Sequence, residues 1–253
     1  MTRSLRQMAA DRAHRRSVYA SAEFWDGKAR DYEGSAVSMF VNRNLNARLE
    51  RDQFAFMDRV LGDVHGARIL DVGAGTGRLS RHLARRGASV LSFDFAAAAV
   101  EVARRENGDL PIEARVMSVF DLNEEASCDH AAVLGCLSAA CRDRTTLLDS
   151  ARRIHRALRP GARVAMIEPF HAGRLSRVLD MSFDDVIAAL EEVGFTVQER
   201  AELHFWPARL VLAPIEWPAF ATALGHAAGE AVLRLAGPRS GLGDYKGLGL
   251  LCP

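Results

Sequence analysis

The chain has 253 residues, 49% of them hydrophobic and 26% charged, with a formal net charge of +1 and a pI near 7.8. This composition suits a soluble globular protein, either one large domain or a core domain with additions. It gives no general reason to expect nucleic acid or membrane as a partner. Cys128, Cys136, Cys141 and Cys252 show no C-x-x-C pair and no metal-ligand spacing with histidine, so they read as reduced thiols. No apolar run reaches about 18 residues and no signal-peptide pattern is present, so the expected compartment is the cytoplasm.

Residues 1–30 carry seven basic groups against three acids, which reads as a solvated N-terminal arm. The aromatic segment Phe24-Trp25-Asp26 leads on to Asp31-Tyr32-Glu33. Leu45, Leu49, Phe56, Met57, Val60 and Leu61 then recur at helical spacing and predict a helix over about 43–62. The run Ile69-Leu70-Asp71-Val72 reads as a buried parallel strand ending at a sheet edge. Gly73-Ala74-Gly75-Thr76-Gly77 makes a turn, and Leu79, Leu83 and Ala84 open an amphipathic helix. Strand, glycine turn and helix N-terminus form a nucleotide-type cradle, because glycine lets a ligand approach the backbone amides closely.

The dinucleotide fingerprint G-x-G-x-x-G needs glycine where Arg78 stands, and no Gly-Lys-Ser/Thr loop is present. Asp71 adds a negative charge that repels a pyrophosphate and suits a cation. The stretch resembles the first motif, D-x-G-x-G-x-G, of the class I S-adenosylmethionine (SAM)-dependent methyltransferases, small-molecule type. That resemblance implies an α/β, Rossmann-like sheet of seven strands, mostly parallel with an antiparallel last strand and helices on both faces. It implies SAM as cofactor, held at Asp71, Gly73, Ala74, Gly75 and Gly77. The Phe24–Tyr32 segment resembles the aromatic lid that precedes the core in such enzymes, and so places Tyr32 on the cofactor.

Gly87 breaks the helix, and Ser89–Asp94 forms a second strand. Asp94 lies 23 residues after Asp71 at a strand's carboxyl end, where a carboxylate can accept both ribose hydroxyls. Phe95 follows it and can pack on adenine. An alanine-rich helix leads to a third strand over Ile112–Val119. Relatives carry an acid where Ser118 falls, and the hydroxyl of Ser118 beside Val119 is a weaker acceptor for the adenine amino group. Asp129–Leu137 matches the fourth strand, whose end at Gly135 and Cys136 passes beside the transferred methyl in the family. No Asn/Asp-Pro-Pro-Tyr/Phe motif occurs there, which disfavours methylation of a nucleobase amine. Cys136 reads as a small buried apolar residue.

A helix over Leu147–Leu158 runs into Arg159-Pro160-Gly161, resembling the family's turn into a fifth strand. Ser182 caps the next helix, and Gly194-Phe195 starts the sixth strand. The last strand is expected at Tyr245–Cys252, antiparallel to the sixth. Residues 204–243, with a helix over about 218–235 and several aromatic residues, form an insert read as a substrate-side cap on the ligand-binding edge. The domain plan is a helical arm and lid over 1–60 and a methyltransferase core over 61–253.

Methyl transfer from SAM is an in-line displacement that needs alignment and exclusion of water, with a base only where the acceptor must lose a proton. His171, at the end of the fifth strand, and His204, at the end of the sixth, are the candidate bases. No carboxylate cluster like that of catechol-type enzymes is evident. The expected enzyme is therefore metal-independent and acts on oxygen or nitrogen of a small molecule, with carbon acceptors left open and room for a homodimer. The alternatives are a peptide or protein N-methyltransferase on the same core, and a SAM-binding protein without transfer activity.

Overall fold

The structure is a computed structural model that describes residues 18–30, 40–171, 174–176 and 178–253. The expected sheet is built first from parallel strands. These are β1 (Arg68–Val72), β2 (Ser89–Asp94), β3 (Ile112–Val116), β4 (Cys128–Leu134) and β5 (Leu158–Glu168). The short β6 (Phe170–His171), β7 (Arg174–Ser176) and β8 (Asp180–Ser182) form a separate antiparallel sheet that the sequence did not announce. β9 (Thr196–Phe205) and β10 (Gly243–Leu251) complete the main sheet, in the order β3-β2-β1-β4-β5-β10-β9. β10 runs antiparallel to both neighbours.

Alternation along β1 divides the core. Leu70 and Val72 pack on one face, with Leu147 and Ile154 of α6 (Arg144–Ala157) and Val186 and Ile187 of α7 (Phe183–Val193). Ile69 faces the other side, with Phe56 and Met57 of α2 (Arg43–Leu61) and Leu79 and Leu83 of α3 (Arg78–Arg85). This period of two is what a strand buried on both faces requires. α2 thus packs in the same core as β1, although the sequence plan draws its boundary near residue 60.

Helix ends follow local chemistry. Asn42 caps α2 by accepting from the Leu45 amide at 3.1 Å. Asp143 with Thr146, and Ser182 with Asp185, form capping boxes at α6 and α7. α4 (Ala97–Asn107) has no cap of its own at Ala96. Instead Asp26 of α1 (Ala22–Arg30) accepts from the Ala98 amide at 2.8 Å, fastening α1 to α4.

Boundaries differ from expectation at three places. β3 stops at Val116, where Ser118 caps a 3-10 turn over Val119–Asp121. β4 stops at Leu134, and Leu137 opens the short helix α5 (Leu137–Ala140). β10 begins at Gly243, two residues before the predicted start.

The insert holds α8 (Trp206–Leu212) and α9 (Ala219–Ala236). It docks on the first half of α2, where Leu45 and Leu49 meet Leu212 and Ala213, and Asn42 donates to Leu212 O at 3.0 Å and Thr222 Oγ1 at 3.1 Å. Among the described residues, no helix is long and apolar enough to cross a membrane.

Candidate functional site

A cavity of about 560 Å³ opens at the carboxyl ends of β1, β2 and β4. The chain order reverses between β1 and β4, and open α/β sheets bind ligands at such a switch point. The first-motif turn forms its floor. Gly73, Gly75 and Gly77 have φ of +69°, +55° and +76°, a region that side chains other than glycine rarely occupy. Their surroundings separate their roles. A Cβ on Gly73 would lie 2.4 Å from Cys136 Sγ, so this glycine lets β1 and β4 close together. A Cβ on Gly75 would meet nothing within 4 Å, on the cavity side of the turn.

Gly77 departs from the sequence expectation. It does not line the cavity; a Cβ there would crowd Ala103 at 3.0 Å and Asn107 at 3.3 Å. It is the glycine that lets α3 start close against α4. Ala74 lines the cavity, and its amide donates to Phe93 O at 2.9 Å, tying the turn to β2.

Asp71 and Asp94 give the cavity its charge. Period-two alternation turns Asp71 to the α3 side, where Ser80 Oγ donates to it at 2.5 Å. It is 1% exposed, and burial pushes its carboxyl up to about 6, opposed by the Ser80 bond and reinforced by nearby Asp94. Asp94 accepts from the Gly75 amide and the Ala96 amide, each at 2.9 Å, so one carboxylate fixes the loops that follow both β1 and β2. Burial raises its pKa, the two amides counter that, and Asp26 adds to the rise.

The side walls bring together the other expected residues. Phe95, 38% exposed, lines the cavity with Ser118, Val119 and Gly135. Ser118 Oγ also accepts from the Phe120 amide at 3.3 Å. Cys136 lines the wall as well, with its thiol pKa pushed well up by burial and then by Glu168, which leaves it un-ionised. Trp25 of α1 closes one side, its indole donating to Tyr19 O at 2.8 Å. Tyr32 lies outside the described residues.

Neither candidate base arrives as expected. His171 falls in β6, beyond the end of β5 at Glu168, and its side chain is outside the described part of the structure. His204 does not line the cavity. It is 2% exposed and sits behind Tyr245, ring centroids 5.4 Å apart at 78°. Burial pushes its pKa down to about 3, so it is a neutral imidazole. A base enclosed in this way has no path to an acceptor in the cavity, which corrects that expectation. Among the described residues, none of 204–243 lines the cavity.

Sequence reasoning missed Gln53, Tyr245, Arg78, Arg142 and Thr146, all of which line it. Gln53 was detectable: a polar residue four after Leu49 interrupts the apolar face of α2. It is 1% exposed and its Oε1 has no partner, so an acceptor atom is left for a ligand. Arg78 is held by Glu50 of α2. Glu168 was missed as a support; it accepts from the amides of Leu137 at 2.8 Å and Ser138 at 3.2 Å, anchoring α5 beside the cavity.

Residues 69–161 match the family model described as a methyltransferase domain. A ubiquinone biosynthesis O-methyltransferase of Xanthomonas oryzae pv. oryzae is 37% identical over 106 residues, 40% of this chain and 43% of that protein. A demethylmenaquinone methyltransferase of Tropheryma whipplei is 31% identical over 128 residues, 46% and 47% of the two chains. The matched stretch therefore spans less than half the length of these relatives. Among solved structures, the 1,6-didemethyltoxoflavin-N1-methyltransferase of Burkholderia thailandensis, with its substrate and S-adenosylhomocysteine bound, is similar in fold. Its TM-score is 0.57 at 19% identity, over 99% of this chain and 91% of that one. The sheet order, the acid–glycine turn and the match over residues 69–161 together make this part of the chain similar to a methyltransferase domain.

Proposed function

We propose that the protein binds SAM in this cavity and transfers its methyl group to an oxygen or nitrogen atom of a small molecule, with no metal in the transfer step. The observation that carries the reading is the cradle itself: buried Asp71 beneath a left-handed glycine turn, with Gly75 facing open space and Asp94 fastening the turn. The residues present fit the cofactor. The cavity volume is that of a small-molecule site, and the buried carboxyls of Asp71 and Asp94 at the turn suit a cationic ligand. The names of the relatives, in ubiquinone biosynthesis and on demethylmenaquinone, support a small-molecule acceptor.

In this reading Asp71, Gly73, Ala74 and Gly75 hold the amino-acid end, Asp94 the ribose, and Phe95, Ser118 and Val119 the adenine. Gly135 borders the methyl, and Tyr32 is retained as a lid contact. Bound SAM supplies a methyl group already activated by its sulfonium. The protein's part is to align the acceptor and exclude water. Trp25, Tyr245 and the dry thiol wall at Cys136 serve the second purpose, while Gln53 Oε1 offers an acceptor atom that orients a donor on the ligand. His171 is retained as a base for acceptors that must lose a proton.

Thermal unfolding with S-adenosylhomocysteine, SAM and NAD tests the cofactor. At 100-fold over its dissociation constant a ligand adds about 2.7 kcal/mol, a rise of roughly 5 °C or more. A rise with the first two and none with NAD is expected. A rise with NAD alone, or none at all, overturns the reading. Labelled-methyl transfer to panels of phenols, amines and peptides then separates a small-molecule enzyme from a peptide methyltransferase or a silent SAM binder.

A further inference from the structure

Behind Tyr245, three elements bring a second set of ionisable side chains together. Asp52 comes from α2, His204 from the end of β9, and His226 and Glu230 from α9, where the i, i+4 spacing stacks them on one helix face. One ligand-capable atom each from Asp52, His204 and Glu230 lies within 4.8 Å of the others. His226 Nε2 stands 2.6 Å from Asp52 Oδ2.

The arrangement is polar, closed around a buried His204 with half-buried Asp52 and Glu230, and incompletely satisfied. His204 is 2% exposed and neither ring nitrogen has a partner, and Glu230 Oε1 is also buried without one. A buried polar atom left unpaired costs about 1–3 kcal/mol, so an unpaired His204 nitrogen grouped with the carboxylates of Asp52 and Glu230 asks for something between them. The backbone is bent to produce this. His204 has φ of +64°, unusual for a residue with a side chain. Gly229 lets α9 approach so closely that a Cβ there would lie 3.0 Å from Phe205 Cβ.

We propose that Asp52, His204 and Glu230 bind a divalent transition-metal ion, zinc being the best match, which braces the insert against the wall of the methyl-transfer cavity. Two carboxylates and a neutral imidazole carry the −2 charge that a divalent ion neutralises, and this mixed N/O set suits zinc more than magnesium or calcium. Both ring nitrogens of His204 are buried without a partner, so one is free to ligate. His226 orients Asp52 from outside, as partners of ligating groups commonly do. The ion takes no part in methyl transfer, because the cluster does not line the cavity. It would fix the His204 ring against Tyr245, which does.

The test uses the full chain stripped with EDTA, exposed to equimolar zinc chloride, desalted and measured by elemental mass spectrometry. About one zinc per chain is expected, with a midpoint of unfolding higher by about 5 °C when zinc is at 100-fold over its dissociation constant. His204→Asn keeps a residue that tolerates positive φ, and Glu230→Gln keeps shape; each should weaken zinc binding by about 100-fold or more. His226→Ala should weaken it about 10- to 100-fold. His65→Gln, on the exposed surface, should change nothing. Cobalt loading of the unmutated chain should give visible absorption bands of low-symmetry coordination, a readout that needs no variant. Less than about 0.1 zinc per chain, or wild-type stoichiometry in both His204→Asn and Glu230→Gln, overturns the site. Neither result bears on SAM binding, so the two proposals fail separately.

Discussion

Lys246 of β10 lies opposite Glu202 of β9 and donates to its carboxylate at 2.5 Å, with side chains 4% and 2% exposed. The same carboxylate accepts from Ser240 Oγ and from the amides of Gly241 and Gly243 at 2.7–2.8 Å. One buried acid therefore closes the insert, binding the segment that returns from α9 to the strand that launches it. Burial alone pushes the Glu202 carboxyl up, but its four donors outweigh this and hold it below the usual range.

Glu202→Gln should cost about 3–5 kcal/mol, because it leaves Lys246 charged and unpaired in the interior. The folded pKa is depressed, so the acid's contribution is present above its unfolded value near 4.5 and is lost as pH falls through the folded value. Urea denaturation at pH 7.5 and again below pH 4.5 checks both points: the penalty of the variant should shrink only at the lower pH.

The three glycines of the first motif should respond differently to alanine. Gly75→Ala meets open space and bears only the cost of its φ, about 1 kcal/mol, yet places a methyl in the cavity. It should fold and lose S-adenosylhomocysteine binding. Gly77→Ala should lower stability first, by crowding α4. Gly73→Ala should do both, and pairing it with Cys136→Gly should recover only part of the stability, since φ remains positive. Unfolding midpoints with and without S-adenosylhomocysteine distinguish the three patterns.

Much of this was legible in the sequence, for local reasons. The apolar run Ile69–Val72, the helical face from Leu45 to Leu61 and the cap at Ser182 each specify their element from neighbouring residues. Asp94 was legible by spacing from Asp71. The misplaced residues are those whose role depends on distant chain. Gly77 and Gly73 carry the same letter, and only α4 and β4 packed against them separate steric need from ligand approach. His204 ends a strand on the correct edge, but Gly229 draws α9 over it and seals it away. The turn of the chain after Glu168 into a second sheet carried no pattern that marked it.

Asp26 caps α4 from another helix, so Asp26→Ala should expose the Ala98 amide and loosen Trp25 from Ala96 and Ala99. A loss of about 1 kcal/mol, or roughly 2–4 °C, is expected, with hydrogen exchange accelerated over 97–100. Asp26→Asn keeps an accepting oxygen and should restore most of the protection. Equal losses in both variants would assign the effect to charge rather than to the cap.

Asp71 couples stability to function with opposite signs. Its folded pKa of about 6 exceeds the unfolded value of 3.8, so its contribution is fully present below 3.8 and is lost as pH rises through 6. At about 1.4 kcal/mol per unit, the ionised acid costs the empty protein on the order of 3 kcal/mol at pH 7.5. Asp71→Asn, which can still accept from Ser80, should therefore stabilise the ligand-free protein by roughly 1–3 kcal/mol at pH 7.5, and by nothing below about pH 4. A cationic ligand needs the ionised form, so the wild type should bind SAM about tenfold more weakly at pH 5 than at pH 7.5. The variant should bind weakly at both. Calorimetric titration at the two pH values, beside unfolding midpoints without ligand, measures each effect; a variant less stable at pH 7.5, or a wild-type affinity indifferent to pH, would show that Asp71 serves the turn rather than the ligand.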